Sequence, residues 1–349
     1  MTDKVLIKGN EAVAKAAIEA GCRFYAGYPI TPQNEIPEYM SFAMPESGGV
    51  FIQAESEIAA INMVYGAAAA GVRAMTSSSS PGISLKQEGL SFLAGAELPA
   101  VIINVQRGGP GLGNISGSQA DYFQAVKGGG HGDYKLLVYA PYNVQEMWDL
   151  TMLAFDKADL YRNPVMILTD GILGQMMEPL IPTRYVMPQL PEKSWALTGC
   201  KGRMPNVIRT LYMNDDELEN VNKILSEKYK TIKEKEVRFE AVNVEDADIV
   251  VVAFGIAARI AHSAMTALRK EGKKVGLFRP ITLFPFPYDD ILSLTDTGRK
   301  FVVVELNSGQ MVEDVRLSVN GRSDVFFYGR SGGAIMKPNE VYDFVSKIY

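Results

Sequence analysis

Val50-Phe51-Ile52-Gln53-Ala54-Glu55-Ser56-Glu57 opens a stretch that runs through Ile58-Ala59-Ala60-Ile61-Asn62-Met63-Val64-Tyr65-Gly66 and four alanines to Gly71, then returns as Arg73-Ala74-Met75-Thr76. A short β-branched run, an apolar helix from Ser56 to Ala70 stopped by glycine, and a second extended run make one strand–helix–strand unit. The same rhythm extends outward on both sides. Upstream, Asn10 is placed to cap a helix from Glu11 to Ala20 that ends at Gly21, followed by a strand from Phe24 to Ala26. Downstream come a turn from Ser77 to Gly82 and strands Ala100 to Gln106, Leu136 to Ala140 and Pro164 to Thr169, the first two separated by a glycine-rich connection from Gly108 to Gly132. Repeated βα units of this kind predict an α/β fold with a mostly parallel sheet flanked by helices.

With 349 residues the chain exceeds one domain of roughly 150 residues. Pro179, Pro182, Pro188 and Pro191 interrupt the rhythm, and the best helix beyond them is a charged one from Asp215 to Glu240. From Ile249 the rhythm resumes with strand Ile249 to Phe254, helix Ala257 to Glu271 and strands Val275 to Leu277 and Phe301 to Glu305. The expected organisation is therefore a first domain over 1–178, a connector over 179–245 and a smaller α/β domain over 246–349.

Composition removes several function classes. The 35 basic and 40 acidic side chains leave a net charge of −5, which provides no footprint for nucleic acid or an anionic membrane. Cys22 and Cys200 are too far apart in sequence for a CxxC-type metal or cluster site and are expected to be buried, reduced thiols. The start of the chain lacks a signal-peptide pattern and no apolar run reaches the ~20 residues of a membrane span, so a soluble cytoplasmic protein is expected. Gly108-Gly109-Pro110-Gly111-Leu112-Gly113 does not fit the dinucleotide fingerprint, and there is no phosphate loop. Gly329-Arg330-Ser331-Gly332-Gly333 fits the serine-hydrolase elbow, but no histidine follows it, so it is read as a chance glycine-rich loop. Thr169-Asp170-Gly171 approaches the thiamine diphosphate GDG fingerprint, yet no asparagine lies between Gly171 and Asn206. The metal and diphosphate site is not expected on this chain.

Four segments exceed what folding requires. In Gly27-Tyr28-Pro29-Ile30-Thr31-Pro32, two prolines fix the backbone around one hydroxyl, as they also would in a plain rigid turn. Gln53-Ala54-Glu55-Ser56-Glu57 carries a carboxylate into the first turn of a helix, where it is either a functional group or a dipole partner. Arg107-Gly108-Gly109-Pro110-Gly111 sets a guanidinium at the carboxyl end of a strand, suited to a carboxylate ligand or to a surface ion pair. Thr76-Ser77-Ser78-Ser79-Ser80-Pro81-Gly82 offers hydroxyls and N–H groups to an anion, or forms a solvated turn.

Together with Gly128-Gly129-Gly130-His131-Gly132-Asp133 and Gly174-Gln175-Met176-Met177, these segments resemble the α subunit of the 2-oxoacid:ferredoxin oxidoreductases, most closely the 2-oxoisovalerate (branched-chain) type. Arg279-Pro280-Ile281-Thr282-Leu283-Phe284-Pro285 and Glu305-Leu306-Asn307-Ser308-Gly309-Gln310 resemble the same subunit's second domain. The resemblance implies a pyrimidine-binding domain of the thiamine-diphosphate-enzyme kind followed by a transketolase C-terminal-type domain. It also implies a division of labour: thiamine diphosphate is shared with a β subunit that holds its diphosphate and Mg2+, a γ subunit and a ferredoxin-like subunit carry the remaining parts including the iron-sulfur clusters, coenzyme A is co-substrate, and an external ferredoxin takes the electrons.

By the same resemblance Glu57 is the carboxylate that meets N1' of the aminopyrimidine. Arg107 pairs with the 2-oxoacid carboxylate, and Thr31 contacts the substrate. A register two residues different would give the role of Glu57 to Glu55; the spacing to Tyr65-Gly66 favours Glu57. Three other readings stay open: a 2-oxoglutarate-specific α subunit, a non-catalytic assembly subunit, and the β subunit of an NAD-linked 2-oxoacid dehydrogenase component.

Overall fold

The computed structural model describes residues 4–295 and 298–349. The chain begins with β1 (Val5–Lys8), α1 (Gly9–Glu19), β2 (Phe24–Gly27), α2 (Glu35–Glu46), β3 (Val50–Gln53), α3 (Glu57–Ala69), β4 (Ala74–Ser78), α4 (Ser80–Gly95) and β5 (Val101–Gln106). It continues with α5 (Tyr122–Val126), β6 (Leu137–Tyr139), α6 (Val144–Tyr161), β7 (Val165–Asp170), α7 (Gly171–Gln175), β8 (Met177–Leu180), α8 (Asp215–Lys235) and β9 (Phe239–Val242). The remainder is β10 (Ile249–Val252), α9 (Gly255–Lys270), β11 (Val275–Pro280), β12 (Thr282–Phe284), α10 (Tyr288–Ser293), β13 (Lys300–Glu305), α11 (Met311–Val319), β14 (Val325–Gly329) and α12 (Pro338–Ile348).

Two main sheets result. The first has strand order β12-β6-β7-β5-β4-β2-β3, parallel except for β12, and the second has order β14-β13-β10-β11-β9, parallel except for β9. Strands β4, β5 and β7 are buried along their whole length; β5 and β7 accordingly open on apolar runs without alternation, Val101-Ile102-Ile103 and Val165-Met166-Ile167-Leu168, while β4 carries Thr76, Ser77 and Ser78. In the first sheet β3 lies on one side of β2 and β4 on the other, so the winding reverses between β2 and β4. Open α/β sheets place ligands beyond the carboxyl ends of the strands at such a reversal.

Several expected boundaries shift. Asn10 lies inside α1 and caps nothing; its amide donates instead to the Pro32 carbonyl at 2.8 Å and to Glu35 at 2.8 Å. Thr76, Ser77 and Ser78 belong to β4, held by pairing with β5 as far as Ser78 opposite Asn104, and α4 already begins at Ser80. The charged helix ends at Lys235, because Phe239 to Val242 pair with β11 and Phe239 stacks on Phe278 with ring centroids 4.8 Å apart. The glycine-rich connection contains α5. Cys22 is buried as expected, whereas Cys200 is exposed on the irregular stretch before α8.

The two sheets are tied by exchanged strands and by polar joints. Strand β12, from the second half of the chain, closes the edge of the first sheet against β6. Arg279, 2% exposed, forms a two-pronged bond to Glu146 at 2.7 and 2.9 Å and a further pair to Glu240 at 2.8 and 3.0 Å, with Tyr142 stacked 3.9 Å from its guanidinium. Arg279→Met should cost about 3 kcal/mol by leaving the carboxylates unpaired, measured as a lowered denaturant midpoint. An unchanged midpoint would reduce the cluster to packing. A second joint is built by Glu305-Leu306-Asn307-Ser308-Gly309-Gln310. Glu305 accepts from the backbone N–H groups of Gln310, Met311 and Val312 and from Asn307, while Leu306 and Asn307 bond both ends of Gln119. Burial pushes the Glu305 carboxyl upward against these bonds.

Candidate active site

Four loops leave the carboxyl edge of the first sheet side by side: after β2 (Tyr28 to Pro32), after β3 (Ala54 to Ser56), at β4–α4 (Ser79) and after β5 (from Arg107). The chain's sequence-predicted residues Thr31, Glu57 and Arg107 all lie on this edge.

Glu57 is the first residue of α3, behind Ser56, whose hydroxyl caps the helix by accepting from Ala59 N–H at 3.1 Å. Its side chain is buried, at 6% exposure, while Glu55 is exposed. Burial thus separates two candidates that spacing alone left close, since α3 begins at Glu57 and Glu55 stays outside it. No described residue donates a hydrogen bond to the Glu57 carboxylate, an unusual condition for a buried acid. It is aimed by a close approach. A Cβ on Gly82 would lie 2.6 Å from Glu57 Oε1 and 2.1 Å from Ser78 Oγ, so only glycine leaves room for both. Gly82→Ala should therefore displace the carboxylate and lower turnover about 100-fold, although alanine favours a helix; wild-type turnover in Gly82→Ala would show that Glu57 is not fixed there.

Thr31 and Arg107 meet, though through the backbone. Arg107 Nη1 donates to the Thr31 carbonyl at 2.9 Å and Nη2 to the Leu112 carbonyl at 2.9 Å, while Nε is buried without a partner. The Thr31 hydroxyl itself only receives Asn34 Nδ2 at 3.4 Å. The loop carrying Thr31 is pinned from below: Asn10 and Gln175 both donate to the Pro32 carbonyl and both reach Glu35. Gln175 thus explains the Gly174-Gln175-Met176-Met177 segment as an anchor for the loop that carries Thr31.

Behind them stand Ser80, from the serine-rich segment quoted above, and two neighbours that the sequence reading did not single out, Asp121 and Lys86. Ser80 receives the Arg107 backbone N–H at 3.0 Å and donates to Asp121 at 2.6 Å, and Asn104 adds a bond to Asp121 at 2.9 Å. Burial pushes the Asp121 carboxyl upward, against those two bonds. Lys86, on α4, is fully buried below Glu57. A strand-to-helix junction dense in serine was the available signal for Ser80; nothing local marks Asp121 or Lys86. The glycine-rich loop at Gly332 also belongs here, since Asn114 donates to its carbonyl at 2.7 Å and a Cβ on Gly108 would lie 2.8 Å from Gly332 C. That loop is a packing surface for the Arg107 loop.

The described residues contain no group of three His, Cys, Asp or Glu side chains placed to hold a metal, and no helix among them is long and apolar enough to cross a membrane. Residues 15–240 match the family described as pyruvate flavodoxin/ferredoxin oxidoreductase, thiamine diphosphate-binding, and residues 247–341 match pyruvate:ferredoxin oxidoreductase core domain II. The chain belongs to the 2-oxoacid:ferredoxin oxidoreductases. It is 55% identical over 343 residues to the ketoisovalerate oxidoreductase subunit VorB of Methanothermobacter thermautotrophicus, covering 98% of this chain and 97% of that one. It is 36% identical over 380 residues to the 2-oxoglutarate synthase subunit KorA of the same organism, over the full length of both. Among solved structures, 2-oxoglutarate:ferredoxin oxidoreductase from Magnetococcus marinus superposes with a TM-score of 0.88 at 27% identity, over 99% of this chain and 65% of that chain. An inactive split-gene transketolase superposes with a TM-score of 0.60 at 15% identity, a likeness of fold.

The oxidoreductase site can be tested against the family's cofactor. A buried carboxylate with no protein donor, beside the unpartnered hydroxyls of Ser78 and Ser79, fits a ring nitrogen that brings its own proton. The residues present fit the pyrimidine end of thiamine diphosphate.

Proposed function

We propose that this chain is the α-type subunit of a 2-oxoisovalerate:ferredoxin oxidoreductase, in which Glu57, Arg107 and Thr31 form its half of the active site. The reading rests above all on the Glu57 carboxylate, buried and free of donors at the sheet edge where Arg107 and Thr31 also emerge. The net reaction converts a 2-oxoacid, coenzyme A and two oxidised ferredoxins into acyl-CoA, carbon dioxide, a proton and two reduced ferredoxins. Thiamine diphosphate, when bound, supplies the nucleophilic carbon and the electron sink that decarboxylation needs. Glu57 holds a proton at N1' of the pyrimidine and so sets the basicity of the neighbouring amino group. Arg107 has a free Nε edge for the substrate carboxylate and is steadied by the carbonyls of Thr31 and Leu112. The β subunit would bring the diphosphate and Mg2+ half, and γ and ferredoxin-like subunits the path to the external ferredoxin.

A branched-chain acid is favoured over 2-oxoglutarate by the greater likeness to the ketoisovalerate subunit VorB, 55% identical, than to the 2-oxoglutarate synthase subunit KorA, 36% identical. Anaerobic co-expression with the β, γ and ferredoxin-like chains tests this, with coenzyme A-dependent viologen reduction compared for 2-oxoisovalerate, 2-oxoglutarate, pyruvate and indolepyruvate. Preference for 2-oxoisovalerate is expected. Preference for another acid would move the specificity, and no turnover in a complex containing cofactor and clusters would overturn the reading.

A further inference from the structure

Lys86 is a lysine with 0% exposure inside a helix seam, an arrangement that costs free energy. The seam is built for it. Gly82, Lys86 and Gly89 follow one another at i, i+4 and i+7 on the face of α4 that meets α3, and Glu57 and Ile61 stand one turn apart on the face of α3 that answers. A Cβ on Gly82 would strike Glu57 Oε1 at 2.6 Å, and one on Gly89 would strike Ile61 Cγ2 at 2.5 Å. The two glycines therefore let the helices approach until the lysine between them is sealed to its tip. Its ammonium donates to the Glu57 carbonyl at 3.3 Å and has no carboxylate in an ion pair among the described residues.

The charges around it are few. From α3, Glu57 faces it; β5, of sequence Val-Ile-Ile-Asn-Val-Gln, brings no titratable group; the loop before β6 brings Tyr134, whose hydroxyl stops at Gln87. Glu88 on its own helix is exposed to solvent. Burial pushes Lys86 down to about 8 while Glu57 pulls it back up, so at neutral pH the lysine keeps its proton and its charge bears on Glu57.

We propose that Lys86 is a positioning residue for Glu57: its sealed ammonium, bonded to the Glu57 carbonyl, fixes the first turn of α3 and sets a positive charge beside the residue that meets the pyrimidine. The proposal rests on the reading of Glu57 as the group that meets the pyrimidine, and the test separates the two.

The full chain, labelled with ε-13C-lysine and free of cofactor, is titrated by NMR as wild type, Lys86→Met and Glu57→Gln. One lysine signal should have a midpoint near pH 8, vanish in Lys86→Met, and move down by about half a pH unit or more in Glu57→Gln, where the opposing carboxylate is gone. In the assembled complex, Lys86→Met should lower kcat about tenfold while KM for the 2-oxoacid stays within about twofold, because Glu57 loses its fixed place and the charge beside it. A signal that titrates near the ordinary lysine value of about 10.4, or that ignores Glu57→Gln, overturns the coupling even if Glu57→Gln is inactive. A Lys86→Met complex with wild-type kcat does the same. Retained turnover in a Glu57→Gln complex would instead overturn the role of Glu57, and the catalytic meaning of Lys86 with it, whatever the NMR shows.

Discussion

Glu57→Gln should assemble normally and lose turnover by about 1,000-fold, the scale of a missing general acid–base group. Glutamine keeps the volume and polarity of the side chain in the pocket formed by Gly82 and Ser78, so packing gives no reason for the loss. What disappears is the ability to exchange a proton with the pyrimidine nitrogen. The decisive pair of measurements is turnover and subunit composition on the same preparation. A complex of wild-type composition with wild-type turnover would return Glu57 to helix capping and favour an assembly role for the chain. Glu55→Gln is the control: its carboxylate is exposed, and its replacement should change turnover by less than about twofold, as expected of a surface substitution worth up to ±0.5 kcal/mol.

Arg107→Lys is the second large effect. Lysine preserves the charge but offers a point donor in place of a planar fork, and it cannot hold the carbonyls of Thr31 and Leu112 while turning a third N–H toward a substrate. A fall of about 100-fold in kcat/KM is expected, carried mainly by KM for the 2-oxoacid, with KM for coenzyme A unchanged. Equal rises in both KM values would point to a collapsed loop, and no change would remove Arg107 from substrate binding. Because Ser80 holds the Arg107 backbone and is itself held by Asp121, Ser80→Ala should reproduce a weaker form of the same phenotype.

The residues differ in how far they could be read in advance. Strand and helix order was legible wherever a segment has its own period: the alanine-rich first helix, the helix from Glu57, and the fully buried strands all announce themselves by spacing and by glycine stops. Strands β9 and β12 did not: β9 starts inside the run read as a charged helix and β12 follows β11 directly, and each becomes a strand only through its partner in another part of the chain. The charged helix was overextended for the same reason. Local propensity favoured continuation past Lys235, and long-range pairing with β11 prevented it.

At the site, the sequence by itself determined the cast: a glutamate entering a helix, an arginine closing a strand, a hydroxyl fenced by prolines, and the absence of a diphosphate motif. Those are properties of residue type and spacing, and they are local. Only the tertiary structure decided which glutamate is buried, that Arg107 grips the Thr31 backbone while its hydroxyl stays free of it, and that Ser80, Asp121 and Lys86 stand behind them. Those facts depend on how closely two helices can approach and on which loops a parallel sheet gathers at one edge. They are set by contacts between residues tens of positions apart, where no sequence period reaches.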